Sequence, residues 1–592
     1  MQQPSGMVEN INIFWAQLAI SVCVHNGVTC FVISPGSRST PLTVAAARHP
    51  KVTLRRAYDE RGAAYWALGW ARATGKPAVL IATSGTAVAN YLPAVVEASQ
   101  EGIPLLLFTA DRPPELRDTA ANQTIQQPGI FGTYVRWQFD MPTPSVAIDP
   151  RMVLTTVEQA IFRSQTPYPG PVHINWMFRE PLAPLATETL PETLQQFWQW
   201  WQQQRKPFTE YRAGVHPPTK DDIRQVKHYL LNSRNGLLVL GGLHRAEDRQ
   251  AAWRLAHYLR WPVYGDVRSG IPVHQITAGW RYLDITLAHP QWQRHYRPDV
   301  ILHLGTPVTS KRYLQWTATL RESLYIHVSP LPHRQDPNHQ VRLRLYCDLA
   351  EFVNALTFTE MPLHQPPVLS LLPRLQSFID AIIEKNIADN HLHNEIGVIR
   401  QLAVWIPEGW PVFLGNSLPI RLWDWFAIPA GEVRAIFANR GASGIDGLIA
   451  TASGIAAGVQ QPLTAIIGDI ATIHDLNSLI HLKESSIPMV LIILNNAEGG
   501  IFRWLPIAGV LDVFEQHFLT PHTFNFRKIA EMFGIPYGAP RTLKGFQKIY
   551  RQWVRQPDNR IIEIRTRSAE TYRSYEKILE AVRHALEPPH HK

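Results

Sequence analysis

The chain has 592 residues, 45% of them hydrophobic and 18% charged, which is enough apolar material for about three ordinary globular domains. Its formal net charge is +9, but the basic residues are scattered; this argues against a nucleic-acid surface and suits single arginines converging on a small polyanion. Cys23, Cys30 and Cys347 form no metal-ligand pattern, no stretch is apolar enough to span a membrane and no leader-like segment opens the sequence, so a cytoplasmic protein with buried thiols is expected.

Short β-branched or apolar runs alternate with helical patterns, the signature of parallel sheets covered by helices. "VTCFVISPGSRSTP" (28–41), "PAVLIATSGTAVANYLPAVVEA" (77–98) and "IPLLLFTADRP" (103–113) each read as a strand, a polar loop, then a helix or turn. Between the first two, "VTLRRAYDERGAAYWALGWARATG" (52–75) reads as a strand, an acidic turn and an amphipathic helix. This first unit closes near "GPVHINWMFREPLAP" (170–184), and a domain is expected over 1–184. The Gln/Trp/Pro-rich stretch 185–218 is expected as a linker lying over the surface. A second α/β unit is expected over 219–358, starting at "NGLLVLGGLH" (235–244); two glycines there do not make a phosphate loop, and a structural use is expected. A second linker, 359–373, leads to a third unit over 374–592.

In such sheets ligands sit at the carboxyl ends of strands, so the polar residues after each apolar run matter most. In the third unit "TAIIGDIATIHDLNSL" (464–479) ends an apolar run on Gly468 and Asp469, and "LIILNNAEGGIF" (491–502) ends one on Asn495 and Asn496. Asp469 precedes Asn496 by 27 residues, with a helical stretch expected at about 472–483. One strand–helix–strand crossover would therefore bring the two strand ends side by side. A carboxylate, a side-chain amide oxygen and a backbone carbonyl form a hard, all-oxygen partial shell that suits Mg²⁺ bridged to phosphate. The start of that helix is expected to favour a phosphate as well. The alternative is an aspartate helix cap beside an unrelated asparagine turn.

Gly-Asp followed by Asn-Asn at this spacing resembles the diphosphate-binding signature of thiamine diphosphate enzymes. The resemblance implies a thiamine diphosphate-binding fold of three doubly wound parallel α/β domains: pyrimidine-binding, central and diphosphate-binding. It implies Mg²⁺ or Mn²⁺ held by Asp469, Asn496 and the carbonyl of Glu498. Ile470 and Glu498 depart from the glycines common at those positions. It also implies an acid against N1′ of the aminopyrimidine, which helps the cofactor lose its C2 proton; Glu60 is the candidate.

"SPGSRSTP" (34–41), "DERG" (59–62), "TSGTAVAN" (83–90), "TADRPPEL" (109–116), "NQTIQQ" (122–127), "TPVTSKR" (306–312), "GNSLPIR" (415–421) and "NRGASGIDG" (439–447) together resemble one branch of those enzymes. That branch is the 2-succinyl-5-enolpyruvyl-6-hydroxy-3-cyclohexene-1-carboxylate (SEPHCHC) synthases of menaquinone and phylloquinone biosynthesis. The resemblance implies decarboxylation of 2-oxoglutarate and 1,4-addition of the remaining unit to isochorismate. It implies a homo-oligomer, a dimer or a dimer of dimers, with active sites shared between subunits. Both substrates are dicarboxylates, and arginine forks suit them. By resemblance the substrate site is lined by Ser37, Arg38, Arg112, Asn122, Gln123, Lys311, Arg312, Ser417, Arg421 and Arg440, with Ile501, Phe502 and Leu505 as apolar wall or helix core. Catalytic roles fall to Glu60, Arg38, Gln123 and Arg421. The cofactor is expected against Gly85, Thr86, Asn416, Ser417, Ser443 and Gly444, with Ile445 wedged between its rings. Its diphosphate end is expected against Gly468, Asp469, Ile470, Asn496, Glu498, Gly499, Gly500 and Ile501.

Overall fold

The computed structural model describes residues 8–185, 189–212, 214, 216–357, 364–387, 392–431 and 433–586. Their strands form three parallel sheets flanked by helices. Two compact units emerge: Met1–Ala213 with Asn439–Gln460 and Asp475–Ser486, and Gly214–Ala438 with Gln461–His474 and Ile487–Lys592.

The first unit holds a six-stranded sheet of order β2-β1-β3-β4-β6-β5. Its strands are β1 (Cys30–Ile33), β2 (Thr53–Arg56), β3 (Ala78–Ala82), β4 (Leu105–Asp111), β5 (Trp137–Met141) and β6 (Pro171–Met177). Side chains alternate across a strand, so each central strand supplies two cores. Phe31, Val79, Ile81, Leu106 and Phe108 enter one; Val32, Leu80, Ala82, Leu105 and Leu107 enter the other. Within 185–218, expected as a surface linker, Glu192–Gln203 form a helix. Its Leu194 and Trp201 join the first core, and the indole N–H of Trp201 donates to Ser21 Oγ at 3.0 Å. A tryptophan buried with its N–H satisfied holds this segment down.

The helix Glu60–Thr74 is capped by Asp59, whose carboxylate accepts from Arg61 N at 2.9 Å, and ends at Gly75 in the left-handed region, φ 68°. It packs backbone to backbone on the helix Leu448–Val459. A Cβ on Gly69 would stand 2.1 Å from the Thr451 carbonyl oxygen, and one on Gly454 2.0 Å from that of Trp66. This close packing gathers the segment 439–460 into the first unit.

The second unit holds two sheets. The central one has order β11-β10-β9-β7-β8, from β7 (Gly236–Leu240), β8 (Val263–Gly265), β9 (Val300–Leu304), β10 (Leu324–Ser329) and β11 (Val341–Tyr346). The other has order β13-β12-β14-β15-β17-β16, from β12 (Val412–Leu414), β13 (Ile436–Phe437), β14 (Leu463–Gly468), β15 (Met489–Asn495), β16 (Tyr537–Gly538) and β17 (Arg560–Arg565). One core takes Leu237, Val239 and Ile301 from the first of these sheets and Leu414, Ile466, Ile492 and Leu494 from the other. Of the linker expected over 359–373, residues 359–363 lie outside the described part; Leu372–Ile387 form a helix whose Leu372, Leu375, Ile379 and Ile383 enter that core.

The six-stranded sheets share one strand order when each is counted from its own first strand. In this winding the order reverses between the first and third strands, and ligands bind at that switch point. The loops after β1 and β3, and after β12 and β14, are therefore singled out by topology. The equivalent crevice of the central sheet is closed: Thr306 N donates to the Gly242 carbonyl at 3.2 Å, and a Cβ on Gly241 would meet Thr306 O at 1.7 Å.

The helix expected at about 472–483 is three short pieces, Asp469–His474, a 3₁₀ turn Leu476–Ser478, and Leu479–Lys483. The break falls at Asp475, whose buried carboxylate accepts from Ile449 N at 2.8 Å and Ser478 Oγ at 2.7 Å. Asp475 thus anchors the start of Leu448–Val459, which has no side-chain cap of its own. A piece as short as Asp469–His474 sums few peptide dipoles, so the phosphate preference expected of it is not supported.

Candidate active site

At the switch point of the first sheet, Arg38 is buried. Its Nη1 donates to the Phe178 carbonyl at 2.9 Å and its Nη2 lies 3.4 Å from Glu180. Its Nε has no hydrogen-bond partner among the described residues. Arg112, after β4, donates to Ser84 Oγ; burial and the Arg38 charge both push its guanidinium pKa down. Ser84 Oγ donates to the Gln123 carbonyl at 2.9 Å, and Gln123 Nε2 donates to the Ser84 carbonyl at 3.0 Å. Gln123 is held at φ 59° and packs on Gly85, φ 85°, where a Cβ would meet Gln123 Cγ at 2.9 Å. Gly85 N donates to Gln127 Oε1 at 2.9 Å. Ser37, Thr86 and Asn122 are exposed around this group. The result is two guanidinium groups and a glutamine amide gathered at the strand ends, chemistry suited to a carboxylate.

Glu60 opens its helix half-buried, less dry than the expected role calls for within a single chain. The loop 439–447 is held to the same unit by Glu97. That carboxylate, 1% exposed, accepts from Gly441 N at 2.9 Å and Ala442 N at 2.6 Å and pairs with Arg72 Nη2 at 3.3 Å. The loop carries Arg440, Ser443 at φ 59°, Gly444 and Ile445. Arg61 lies 3.8 Å from Asp446 in it.

In the second unit β14 and β15 pair in parallel, with Gly468 opposite Leu494, so Asp469 and Asn496 leave adjacent strand ends. The two loops are joined directly: Asp469 Oδ2 accepts from Ala497 N at 2.7 Å and lies 3.2 Å from His522 Nε2. Burial raises the Asp469 pKa, partly offset by the N–H groups of Ile470 and Ala497. Asp469 is 2% exposed and has no Lys or Arg partner among the described residues. Asn496 Oδ1 accepts from Glu498 N at 3.3 Å, and the Glu498 carbonyl accepts from Thr520 N at 3.0 Å. The Asn496 oxygen has a second lone pair, whereas the Glu498 carbonyl also accepts from Thr520 Oγ1 at 3.4 Å, the longer of its two hydrogen bonds. A buried carboxylate with no Lys or Arg partner among the described residues, on a loop adjoining one that carries an amide oxygen and a carbonyl, is a donor set that fits a hard divalent cation.

Both departures from the common glycines are accommodated. Glu498 pairs with Arg503 at 2.8 Å through its carboxylate, so its side chain has a partner of its own. Ile470 packs on Gly499, where a Cβ would stand 3.3 Å from Ile470 Cγ1; Gly499 has φ 67° and Gly500 is pressed against Ser568.

After β12, Asn416 is buried and Ser417 takes φ 72°, ψ −128° before the helix Leu418–Phe426. Arg421 Nη1 donates to the Ser417 carbonyl at 2.5 Å; burial lowers its pKa, and it has no ion pair among the described residues. The remaining sequence candidates divide. Lys311 is exposed, whereas Arg312 is engaged by Asp284 at 2.6 Å and by the Tyr575 hydroxyl, a structural pairing. Ile501 packs against the core, Phe502 stacks edge-on with Phe518 at 5.6 Å, and Leu505 is 40% exposed.

Three family profiles match in order: a thiamine pyrophosphate enzyme N-terminal TPP binding domain at 15–130, a thiamine pyrophosphate middle domain at 192–414, and a thiamine pyrophosphate enzyme C-terminal TPP binding domain at 423–564. SEPHCHC synthases from Rubrobacter xylanophilus and Prosthecochloris aestuarii are 41% and 38% identical to the chain over 96% of its length and 98% and 97% of theirs. The Salinibacter ruber synthase is 38% identical over 98% of both chains.

The chain belongs to the SEPHCHC synthase family. The family is thiamine diphosphate-dependent, in line with the three domain matches. Around the strand ends, the chain of this SEPHCHC synthase family member also holds polar residues that sequence reasoning missed. Asn496 Nδ2 donates to Glu395 Oε1 at 3.0 Å, and Asn495 Nδ2 donates to Glu563 Oε1 at 2.8 Å. Both glutamates are 1% exposed, and burial pushes the Glu395 carboxyl up to about 7. Of the buried acids, Glu563 and Glu97 carry a sequence signal, a lone acid inside an apolar run, as in "RIIEIR" (560–565) and "PAVVEAS" (93–99); Glu395 and Asp475 follow polar neighbours, in "HNEIG" (393–397) and "IHDLN" (473–477), and carry none. Among the described residues no helix is long and apolar enough to cross a membrane.

Proposed function

We propose that this chain decarboxylates 2-oxoglutarate and adds the remaining four-carbon unit to isochorismate in a 1,4-addition, forming SEPHCHC for menaquinone or phylloquinone biosynthesis. The observation that carries the reading is the near-full-length likeness to synthases of that name. Bound thiamine diphosphate supplies a nucleophilic carbon and an electron sink for the bond that loses carbon dioxide. Glu60 exchanges a proton with N1′ of the pyrimidine. Asp469, Asn496 and the Glu498 carbonyl hold Mg²⁺ or Mn²⁺; Gly468, Ile470 and Ile501 lie along the diphosphate end, and Gly499 and Gly500 let the backbone approach it. Asn416, Ser417, Ser443, Gly444, Gly85 and Thr86 line the rings, with Ile445 between them. Arg38, Arg112, Arg421 and Arg440 neutralise substrate carboxylates, assisted by Ser37, Asn122, Gln123 and Lys311; Arg312 joins them only by leaving Asp284. The active sites form between subunits of a homo-oligomer in the cytoplasm.

The test is incubation with Mg²⁺, thiamine diphosphate and 2-oxoglutarate, with and without isochorismate, followed by mass spectrometry. The adduct is expected only when both substrates are present. Carbon dioxide release with no adduct would make the chain a 2-oxoacid decarboxylase or a carboligase for a different acceptor.

A further inference from the structure

Asn496 bears an amide with two chemically opposite ends, and only its oxygen can ligate a cation. Something must decide which end faces the Asp469 loop. The amide nitrogen donates to Glu395 Oε1 at 3.0 Å across 101 residues of sequence. Glu395 Oε1 accepts from Thr566 Oγ1 as well, so it stands as an acceptor; the NH₂ end of Asn496 is drawn to it and the oxygen turns the other way.

Glu395 is itself built in. It is the first residue of the helix Glu395–Trp405, behind an Asn394 cap that accepts from Ile396 N at 3.0 Å. Its own N–H donates to Thr571 Oγ1 at 3.0 Å, and Thr566 Oγ1 donates to its Oε1 at 2.9 Å. Thr566 N in turn donates to the Asn495 carbonyl at 2.8 Å. Three separate segments therefore fix one carboxylate against one amide, buried and aimed at a strand end.

We propose that Glu395 is a positioning residue: by holding the Asn496 amide nitrogen it presents the amide oxygen beside Asp469 and thereby sets divalent-ion affinity. This rests on the reading of Asp469 and Asn496 as metal ligands. Partners that orient metal ligands typically change affinity about 10–100-fold when removed.

The test is titration of Mn²⁺ into the full-length protein with thiamine diphosphate present, reading free ion by electron paramagnetic resonance. Glu395→Ala is expected to weaken Mn²⁺ binding about 10–100-fold. Glu395→Gln, whose side-chain oxygen still accepts from Asn496, should stay near wild type, because acceptor geometry rather than bulk is what matters. Should Glu395→Ala not fold by near-ultraviolet circular dichroism, Asn496→Asp tests the same pairing. Two facing carboxylates weaken Mn²⁺ binding in that variant, and adding Glu395→Gln restores it by providing a donor. Wild-type affinity in a folded Glu395→Ala, or strictly additive effects in the Glu395→Gln/Asn496→Asp double variant, would overturn the proposal alone. Wild-type protein that takes up no Mn²⁺ with the cofactor present would overturn the metal reading, and this proposal with it.

Discussion

Glu60 and Asp59 divide two tasks that a carboxylate at a helix start can perform. Asp59 does the capping, accepting from Arg61 N and Gly62 N, so the fold does not need the Glu60 carboxyl for that purpose. Glu60→Gln should therefore lose only the helix-dipole contribution, about 0.3–1 kcal/mol. It should bind thiamine diphosphate with wild-type affinity in a fluorescence titration, yet lose about 10²–10⁴ in kcat, the usual worth of a positioned proton-transfer group. Normal turnover would remove Glu60 from the mechanism. Backbone conformation points to the same loops: Gln123, Ser417, Ser443 and Ala497 all have positive φ without being glycine. Such conformations cost free energy and persist where surrounding structure fixes them, often at functional sites.

Between elements, small residues do what large ones do in most cores. Gly69 and Gly454 let two helices touch backbone to backbone, and backbone cannot move aside as a side chain can. Gly454→Ala should lower stability to denaturant by about 1–3 kcal/mol or more through overpacking. Gly75→Ala is the control, with φ 68° but open space around its Cβ, and should cost about 1 kcal/mol. Equal losses would mean that the helix contact is not tight. In the central sheet His303 and His327 face each other in register on β9 and β10, both held neutral by burial, His327 down to about 4. Their folded pKa values lie below the unfolded value of about 6.5, so the unfolded chain takes up the protons first. Stability should fall as pH drops from about 6.5 towards 4, by on the order of 3 kcal/mol for His327. His327→Gln should flatten that slope in melting curves; an unchanged slope would place the acid sensitivity elsewhere. The parallel α/β character and the ends of β1, β3, β4, β14 and β15 were legible in sequence because an apolar run there gives way at once to a polar loop; short strands such as β5, β13 and β16, and the order of strands within each sheet, were not, since pairing joins segments far apart in sequence. The break at Asp475 and the seating of Trp201 were not, since each depends on a partner distant in sequence, Ile449 and Ser21 respectively. Glu395 was hidden for the same reason: its partner Asn496 lies 101 residues away, a separation that no local pattern records.

At the scale of the whole molecule, the proposed sharing of active sites between subunits makes a prediction that no single-chain property can imitate. Suppose Glu60 of one subunit serves the cofactor held by Asp469 of another. A Glu60→Gln chain then keeps an intact Asp469, and an Asp469→Ala chain keeps an intact Glu60. Each variant alone is inactive, because every site lacks one of the two groups. In a mixed dimer one site inherits both defects, but the other combines the two unaltered residues and works normally. Random exchange makes about half the dimers mixed, and each has one good site of two, so about a quarter of wild-type activity should return. Mild denaturation, mixing, dilution and assay measure this directly, with each variant refolded alone as the baseline. Sites confined within one chain predict no recovery at any mixing ratio, since every chain would carry its own defect into its own site. The yield thus reads the assignment of both residues and the subunit boundary in one number, and a value near zero from properly folded, exchanging subunits would place the two groups in the same chain's site.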